Sequence, residues 1–252
     1  MTRLVTDVIC PFCGTLCDDI EVVVSDDGKK LLEVANACVI GTEKFLHSQA
    51  KDRVTRPRLR QDDGSWKEIS YDEAVEYSAQ MLAKAKKPMM FGWSSTNCEA
   101  QSVGNEIAEM SKACCDNTAA TCHGTTLIAV QDIGLPSCTL GEVKNRADRV
   151  IFWGCNPAHA HPRHMSRYSI FPRGFFTGKG QMSRKMIVVD PRITDTARMA
   201  DVHLQVEQGR DYELLNALRV AFRGEWLPDV VAGIPAEKIR EAADMMKSGR
   251  FG

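Results

Sequence analysis

The chain has 252 residues, a formal net charge of -1 and a hydrophobic fraction of 44%, enough for a buried core in one large domain or in a small and a larger one. The nearly neutral charge gives no reason to expect binding to nucleic acid or to an anionic membrane. No apolar run is long enough to span a membrane and no secretory signal opens the chain, so the cytoplasm is the expected location.

Residues 1–50 are predicted to form a small unit organised by a metal group. The runs Asp19–Val24 and Leu31–Val34 favour β-structure and flank the polar turn Ser25–Gly28, which predicts a hairpin. The chain has ten cysteines, many for a reducing compartment in which disulfides are rare, so metal ligation is expected. The cysteines of this first segment are Cys10, Cys13, Cys17 and Cys38.

The spacing of these cysteines favours an iron–sulfur cluster. Three of the thiols lie on one short loop that contains Gly14, whose missing side chain lets the backbone wrap closely around a cluster. A four-cysteine zinc site is the alternative, but zinc sites usually have two paired cysteine knuckles. The candidate ligands are therefore Cys10, Cys13, Cys17 and Cys38, with zinc as the less favoured metal.

The next segment, residues 51–67, is rich in arginine, proline and charge and predicts an extended linker. A helix is then expected to begin at Ser70, which with Glu73 has the spacing of a capping box. Apolar residues at helical spacing predict one buried face on this helix. They are Ala74, Val75, Ala79, Leu82 and Ala83.

From residue 88 onward, strands are predicted to alternate with helices. The predicted strands are Pro88–Gly92 (short and buried), Arg149–Gly154, Lys185–Asp190 and Val202–Val206. The predicted helices are Glu99–Ser111, Asp211–Phe222 and Pro235–Met246. This alternation predicts an α/β fold with a parallel, doubly wound, Rossmann-like sheet.

We therefore expect a small iron–sulfur domain over residues 1–56 and an α/β domain over residues 57–252. The segment Met246–Gly252 resembles the end of one helix and the start of another strand, so we expect the C-terminal part of a larger fold to be missing. The remaining cysteines are expected to be core residues. They are Cys98, Cys114, Cys115, Cys138 and Cys155.

Five segments in this order resemble the molybdopterin oxidoreductase superfamily, which includes formate dehydrogenases. They are the cysteine loop, Arg53–Leu59, Gly64–Ala74, Trp153–Pro157 and Val188–Thr194. Within the superfamily, three further phrases resemble the B subunits of formylmethanofuran dehydrogenases. These are Cys10–Ile20, Thr121–Gly124 and Asn156–His164.

The resemblance implies a 4Fe–4S cluster and molybdopterin guanine dinucleotide, in the bis form in the family, around tungsten or molybdenum. It also implies reduction of carbon dioxide to formate, which passes to a partner amidohydrolase subunit for condensation with methanofuran, a step of methanogenesis. A polyferredoxin and a chain supplying the missing C-terminal half are further implied partners. The same resemblance implies an α/β molybdopterin oxidoreductase domain after the cluster domain.

By the same resemblance, Cys122 matches the cysteine that ligates the catalytic metal, and His123 matches the neighbouring active-site histidine. A thiolate is a soft ligand suited to such a metal. A histidine beside it can transfer a proton near neutral pH or hydrogen-bond a carboxylate oxygen. On spacing alone, Cys122 would be a small core residue, and for His123 a purely structural role stays open.

Residues that follow the predicted strands form a candidate dinucleotide site. Gly154 and Asn156 follow one strand, where the carboxyl edge of a sheet presents backbone N–H groups to phosphate. Asp190 ends the next strand and is placed to bind a ribose hydroxyl or a guanine edge, while Arg192 and Thr194 are candidates for pyrophosphate. Ordinary turn formation is the alternative for each residue.

Three more candidates come from the resemblance. Gly209 and Asp211 match a later nucleotide-contacting segment of the family, and Lys44 matches a lysine between cluster and pterin, with a solvated surface lysine as the alternative. A polar cluster that follows Asn156 in the chain is expected to line the cofactor or a channel rather than to bind a metal. It comprises His159, His161, Arg163 and His164.

Three functional classes stay open from the sequence. The first is a subunit that reduces carbon dioxide to formate, and the second is a formate dehydrogenase working in the oxidative direction. The third is a pterin-free electron-transfer subunit, against which Cys122 argues because a chain without the metal has no need of its ligand. Partner subunits would distinguish the first two classes.

Overall fold

The backbone of this computed structural model, which describes residues 1–252, falls into two units. The first contains residues 1–50 together with residues 138–252, and the second contains residues 51–137. The first unit is therefore built from two separate stretches of the chain. The expected division into domains 1–56 and 57–252 stays a prediction.

Residues 1–50 form an antiparallel sheet followed by a helix. Strands β1 (Thr2–Val8), β2 (Ile20–Ser25) and β3 (Leu31–Ala35) pair in the order β1-β2-β3, and α1 covers Val39–His47. The predicted hairpin corresponds to β2 and β3 and is confirmed. β1 is an addition to it, and its mostly exposed side chains explain why its sequence has little apolar alternation.

The second unit begins with a small hairpin where an extended linker was predicted. Strands β4 (Arg58–Arg60) and β5 (Trp66–Glu68) pair in antiparallel fashion. Gly64 in the connecting turn has a φ of 84°, a conformation that favours glycine. The linker prediction is therefore wrong over its second half, because local turn chemistry folds the chain back on itself.

Helices and strands alternate through the rest of the second unit. The elements are α2 (Tyr71–Lys84), β6 (Met89–Phe91), α3 (Cys98–Ser111), β7 (Cys114–Asp116), α4 (Thr118–Cys122) and α5 (Gly124–Ile133). Strands β6 and β7 pair in parallel, as expected for strands joined through a helix. The capping box of α2 is confirmed, since Ser70 Oγ accepts from the Glu73 amide at 3.1 Å and the Glu73 carboxylate accepts from the Ser70 amide at 2.7 Å.

Apolar surfaces of the second unit that were predicted to be buried are exposed. No residue of α2 is buried, and its apolar face borders an open groove of about 630 Å³ that it shares with Ile107 and Met110 of α3. Met89 and Phe91 of β6 are 62% and 59% exposed. The predicted helix and strand are present, but their predicted burial is wrong because no element of the second unit packs over these surfaces.

The scattered cysteines also differ from expectation. Cys98, Cys114, Cys115 and Cys138 are exposed, and Cys155 is half-buried. The prediction that all five are core residues is therefore wrong for four of them. A cysteine becomes a core residue only where a second layer covers it, and the elements that carry Cys98, Cys114 and Cys115 have no such layer.

The rest of the first unit is an α/β assembly. Its elements are α6 (Leu140–Arg146), β8 (Arg149–Trp153), α7 (Pro157–Ala160), β9 (Lys185–Val189), α8 (Asp195–Arg198), β10 (Val202–Leu204), α9 (Asp211–Arg223), β11 (Val230–Val231), β12 (Ile234–Pro235) and α10 (Ala236–Lys247). The three longer strands are parallel, in the order β10-β9-β8. The α/β class and the parallel pairing predicted from the sequence are confirmed.

The central strand β9 is covered on both faces. Ile187 packs with Leu214 of α9 and Ile239 of α10, whereas Val188 packs on the opposite face with Ala197 of α8. Successive side chains of a strand point to opposite faces, so a continuous apolar run is what a doubly covered strand requires. Full burial of each large apolar side chain contributes about 1.5–3 kcal/mol, which makes this sheet the main core of the first unit.

No helix of the structure combines the length and the apolar character needed to cross a membrane.

Candidate active site and cofactor-binding residues

The cysteine loop is closed by backbone hydrogen bonds. The Cys10 amide donates to the Cys17 carbonyl oxygen at 2.7 Å, and the Leu16 amide donates to the Cys13 carbonyl oxygen at 3.2 Å. Leu16 has a φ of 45°, unusual for a residue with a side chain, which turns the chain sharply before Cys17. The loop therefore holds its three cysteines in one tight, strained turn.

The fourth cysteine approaches the loop at the start of α1. Cys38 is the N-cap residue, and its Sγ accepts from the Gly41 amide at 3.4 Å. A Cβ built on Gly41 would lie 3.5 Å from Cys10 Sγ and 3.8 Å from Cys38 Sγ. Both sulfur atoms therefore lie against the first turn of α1, at van der Waals distance from the Cβ position of residue 41.

The donor chemistry of this region fits an iron–sulfur cluster. Cys10 and Cys17 are buried, and Cys13 and Cys38 are half-buried, so the loop and the start of α1 supply four soft sulfur donors of the type that iron–sulfur clusters bind. Thr15 is fully buried, and its Oγ1 has no hydrogen-bond partner. Such an orphaned hydroxyl is costly unless a further group satisfies it. No three His, Cys, Asp or Glu side chains converge on one ion-sized site, and the cluster assignment stays a prediction.

Two arginines contact the acidic residues that follow the cysteine loop. Arg163 donates to both carboxylate oxygens of Asp19, at 2.7 and 2.6 Å. Arg167 pairs with Asp18 and, at 2.6 Å, with Asp19. The hydrogen bond from Arg163 lowers the pKa of Asp19. Burial raises the pKa of the Cys17 thiol, and the positive charges of the two arginines oppose that rise.

Cys122 and His123 lie at the junction of two helices. Cys122 is the last residue of α4, and His123 separates it from α5. The His123 amide donates to the Ala119 carbonyl oxygen at 2.7 Å, while its own carbonyl oxygen accepts from Leu127 at 2.8 Å. Both side chains are exposed, and the short helices orient this pair through backbone bonds alone.

His123 borders a cavity of about 680 Å³ within the second unit. Trp93 and Asn117 are among the other lining residues, whereas Cys122 is not one of them. Trp93 has a φ of 65°, a left-handed conformation that is rare for a bulky residue, and its ring packs so closely on Gly104 that a Cβ there would lie 2.8 Å from the indole. Strained residues of this kind are concentrated at functional sites.

The carboxyl edge of the β8–β9–β10 sheet carries most of the predicted nucleotide ligands. Gly154, directly after β8, has a φ of 58° and nothing within 4 Å of a built Cβ, so its backbone is accessible. Asn156 Oδ1 accepts from Thr196 Oγ1 at 2.6 Å, and Thr196 Oγ1 in turn accepts from the Ala158 amide at 3.2 Å. Asn156 is therefore held by a buried hydroxyl that was not predicted from the sequence.

Asp190 and Thr194 are buried at the same edge. Asp190 Oδ1 accepts from the Arg192 amide at 2.9 Å, and Thr194 caps α8 by accepting from the Ala197 amide at 3.1 Å. The Arg192 side chain is exposed. Asp190 and Thr194 therefore make local bonds of the kind that turn formation predicts, and their roles as nucleotide ligands stay predictions.

Gly209 and Asp211 precede and begin α9. Gly209 has a φ of 79° with open space around a built Cβ, and Asp211 Oδ1 accepts from Trp153 Nε1 at 2.7 Å. Because Trp153 is the last residue of β8, this bond joins the first and last predicted nucleotide segments. Neither Trp153 nor Thr196 was a candidate, since hydrogen bonds between distant segments leave no local sequence pattern.

The remaining candidates do not form a common cluster. Lys44 is exposed on the last turn of α1. His159 pairs with Asp195 at 2.7 Å, Arg163 pairs with Asp19, and the rings of His161 and His164 lie 6.3 Å apart. His159 and Arg163 therefore have separate acidic partners, and only His161 and His164 neighbour each other.

Comparison with known proteins places the chain in a family. The model of the molybdopterin oxidoreductase family matches residues 53–229. The chain belongs to the molybdopterin oxidoreductase family.

The chain is similar to two tungsten-containing formylmethanofuran dehydrogenase 2 B subunits. It is 52% identical to the subunit from Methanocaldococcus jannaschii, in an alignment that covers 100% of this chain and 58% of the relative. It is 54% identical to the subunit from Methanococcus maripaludis, in an alignment that covers 98% of this chain and 57% of the relative. The chain thus spans somewhat over half the length of these relatives. Among solved structures, acetylene hydratase from Pelobacter acetylenicus has the same fold over 98% of this chain and 39% of its own, with a TM-score of 0.64 and 19% identity.

Proposed function

We propose that the chain acts as part of a tungsten- or molybdenum-dependent formylmethanofuran dehydrogenase, in the B subunit, which reduces carbon dioxide to formate. The observation that carries the proposal is the identity, over essentially the whole chain, with two tungsten-containing B subunits. Formate then passes to a partner amidohydrolase subunit that forms formylmethanofuran. A polyferredoxin delivers electrons, and the complex is cytoplasmic.

Cys122 and His123 are the proposed catalytic pair. The Cys122 thiolate is a soft ligand for the metal, and its exposed position at the end of α4 leaves it free to bind a group outside the helix. The pterin-held metal, when bound, supplies the two-electron chemistry of the reaction. His123, on the wall of its cavity, holds or releases a proton and donates a hydrogen bond to a carboxylate oxygen of formate.

Residues at the carboxyl edge of the parallel sheet are proposed to bind molybdopterin guanine dinucleotide. The open backbone at Gly154 accommodates phosphate, because parallel α/β sheets bind nucleotides at this edge. The buried carboxylate of Asp190 suits a ribose hydroxyl or a guanine edge, and the exposed Arg192 suits pyrophosphate. The other proposed ligands are Asn156, Thr194, Gly209 and Asp211.

The cysteine loop is proposed to hold a 4Fe–4S cluster that passes electrons to the metal site. Its ligands are Cys10, Cys13, Cys17 and Cys38. The buried, unpartnered Thr15 hydroxyl supports this assignment, since a cluster sulfur or thiolate would accept its hydrogen bond. Lys44, six residues after Cys38, is proposed to contact the pterin from α1.

The test is the metal content and activity of the complete complex carrying Cys122→Ala. We expect loss of tungsten or molybdenum and of carbon dioxide-dependent formylmethanofuran synthesis, with iron content and cluster absorbance unchanged, because Cys122 is not a cluster ligand. Cys138→Ala is the matched control, since Cys138 is also exposed and lies outside every proposed site. Full metal occupancy and turnover in Cys122→Ala would contradict the assignment.

The same preparation distinguishes the alternative of a formate dehydrogenase. Co-purification with an amidohydrolase subunit and synthesis of formylmethanofuran support the proposal. Oxidation of formate by a complex that lacks such a subunit and makes no formylmethanofuran would establish the alternative. Absence of any pterin or heavy metal from an iron-loaded complex would establish an electron-transfer subunit.

A further inference from the structure

The cysteine loop is joined to the α/β part of the first unit by ion pairs that span most of the chain. Asp18 and Asp19 follow Cys17 directly, and Arg163 and Arg167 contact them from one helical turn at residues 163–167. Both members of each contact lie in the first unit. We call these four residues, Asp18, Asp19, Arg163 and Arg167, the arginine clamp.

The geometry of the clamp is that of a strong and directional contact. Arg163 meets Asp19 with two parallel hydrogen bonds of 2.7 and 2.6 Å, the bidentate arrangement that only a guanidinium can make with a carboxylate. The side chain of Arg163 is 23% exposed and that of Arg167 is 19% exposed. Their partners are more exposed, at 41% for Asp19 and 67% for Asp18, so solvent partly screens the pairs and screens the Asp18 pair most.

The clamp lies next to the cysteine loop in the chain. Asp19, which accepts both hydrogen bonds of Arg163, follows the buried Cys17 by two residues. Arg167 is stacked on Tyr168, with its Cζ 5.5 Å from the ring centroid, and its Nε is buried without a partner. Two positive groups are thus held against the segment that directly follows Cys17.

We propose that Arg163 is a positioning residue that orients Cys17 and raises the reduction potential of the cluster bound there. This inference rests on the cluster in the proposed function. Asp19 sets the orientation of the guanidinium, and Arg167 keeps Asp18 and Asp19 paired. The contact belongs to the chain itself and requires no partner subunit.

The sign of the effect follows from charge. Reduction adds one negative charge to a cluster, so a positive group held near a ligand sulfur favours the reduced form. Loss of Arg163 removes this positive group and should make the potential more negative. Loss of the charge of Asp19 leaves the positive charge of Arg163 uncompensated and should make the potential more positive.

The test is a redox titration of the cluster in the complete complex, followed by electron paramagnetic resonance, with iron content measured in each sample. The variants are Arg163→Gln, Arg163→Lys and Asp19→Asn. We expect the reduction potential of the cluster to be higher in Asp19→Asn than in the wild type and lower in Arg163→Gln. Arg163→Lys keeps the positive charge but loses the paired hydrogen bonds to Asp19, so its potential should lie between those of the other two variants. Arg198→Gln is the control, because this arginine is 66% exposed and pairs with Asp195 at 2.6 Å.

Opposite shifts for Asp19→Asn and Arg163→Gln, with no shift in Arg198→Gln, would support the inference, because a purely structural role does not reverse sign. Unchanged potentials at full iron content, or shifts in one direction for both variants, would overturn it. If Arg163→Gln loses its iron, unchanged potentials in Arg163→Lys and Asp19→Asn would overturn it equally. A wild-type complex without a cluster signal would instead refute the proposed cluster.

Discussion

Trp153 Nε1 donates a hydrogen bond to Asp211 Oδ1 across 2.7 Å, which joins the end of β8 to the first turn of α9. Both residues are half-buried. The bond fixes the orientation of a carboxylate that lies at the carboxyl edge of the sheet, beside the positive end of a helix dipole. The orientation of Asp211 is therefore set by a residue of another segment.

The Trp153–Asp211 bond should be measurable by a double-mutant cycle. We expect Trp153→Phe and Asp211→Ala to show a coupling of about 1–2 kcal/mol in the free energy of unfolding by urea, since a hydrogen bond to a charged group contributes about 1.5–3 kcal/mol before allowance for exposure. Trp66→Phe, at a residue that is 62% exposed, serves as the control partner. Additive effects of Trp153→Phe and Asp211→Ala would show that the bond contributes nothing.

Arg184 is a buried cation that binds only neutral acceptors. It is 5% exposed, and burial lowers the pKa of its guanidinium. Its five hydrogen bonds join the segment before β9 to the end of α6. The acceptors are the carbonyl oxygens of Lys144, Ala147, Ile170 and Pro172 and the hydroxyl of Thr177.

Arg184→Met should therefore lower the free energy of unfolding by roughly 3 kcal/mol, because several buried acceptors would lose their donor at once. Chemical denaturation followed by circular dichroism measures this change. Arg198→Met is the matched control and should change stability by less than about 1 kcal/mol, as expected for an exposed ion pair. Equal stability of the two variants would argue that water replaces the guanidinium.

His164 predicts a pH dependence of stability. Burial lowers its pKa, and the neighbouring His161 adds to the effect. The unfolded chain, with a histidine pKa of about 6.5, then binds the proton more tightly than the folded chain. Stability that is present at neutral pH is lost as the pH falls below about 6.5, and the loss is complete below the lowered folded pKa.

We expect the fall in unfolding free energy between about pH 7 and pH 5 to be smaller in His164→Gln than in the wild type. Urea denaturation at a series of pH values measures this difference. His47→Gln, at an exposed position in α1, should follow the wild-type curve. If His164→Gln shows the same dependence of unfolding free energy on pH as the wild type, other groups control the loss of stability in acid.

Elements with strong local patterns were predictable. The segment Lys185–Asp190 was predicted as a strand of a parallel sheet and corresponds to β9, and the spacing of Ser70 and Glu73 predicted the cap of α2. The hairpin at β4 and β5 was missed because its two strands have only three residues each. The burial of the α2 face was wrong because amphipathic spacing indicates which face is apolar, not whether another element covers it.

The candidate site was predictable where neighbours in sequence share the chemistry. The cysteine loop and the Cys122–His123 pair are local motifs, so all of their residues could be recognised from the sequence. The contact of Arg163 with Asp19 joins residues 144 positions apart, and the contact of Asn156 with Thr196 joins residues 40 apart. No periodicity or spacing links such residues, and these contacts were not predicted.

The sequence by itself determined the α/β alternation, the types of donor at each proposed site and the family to which they point, because these depend on residue identity and short-range spacing. Only the tertiary structure decided which surfaces are covered, which carboxylates are paired and which hydroxyls are left without a partner. Those properties depend on packing between segments far apart in the chain, where distances of a few tenths of an ångström decide whether a hydrogen bond forms. The arginine clamp belongs entirely to this second group.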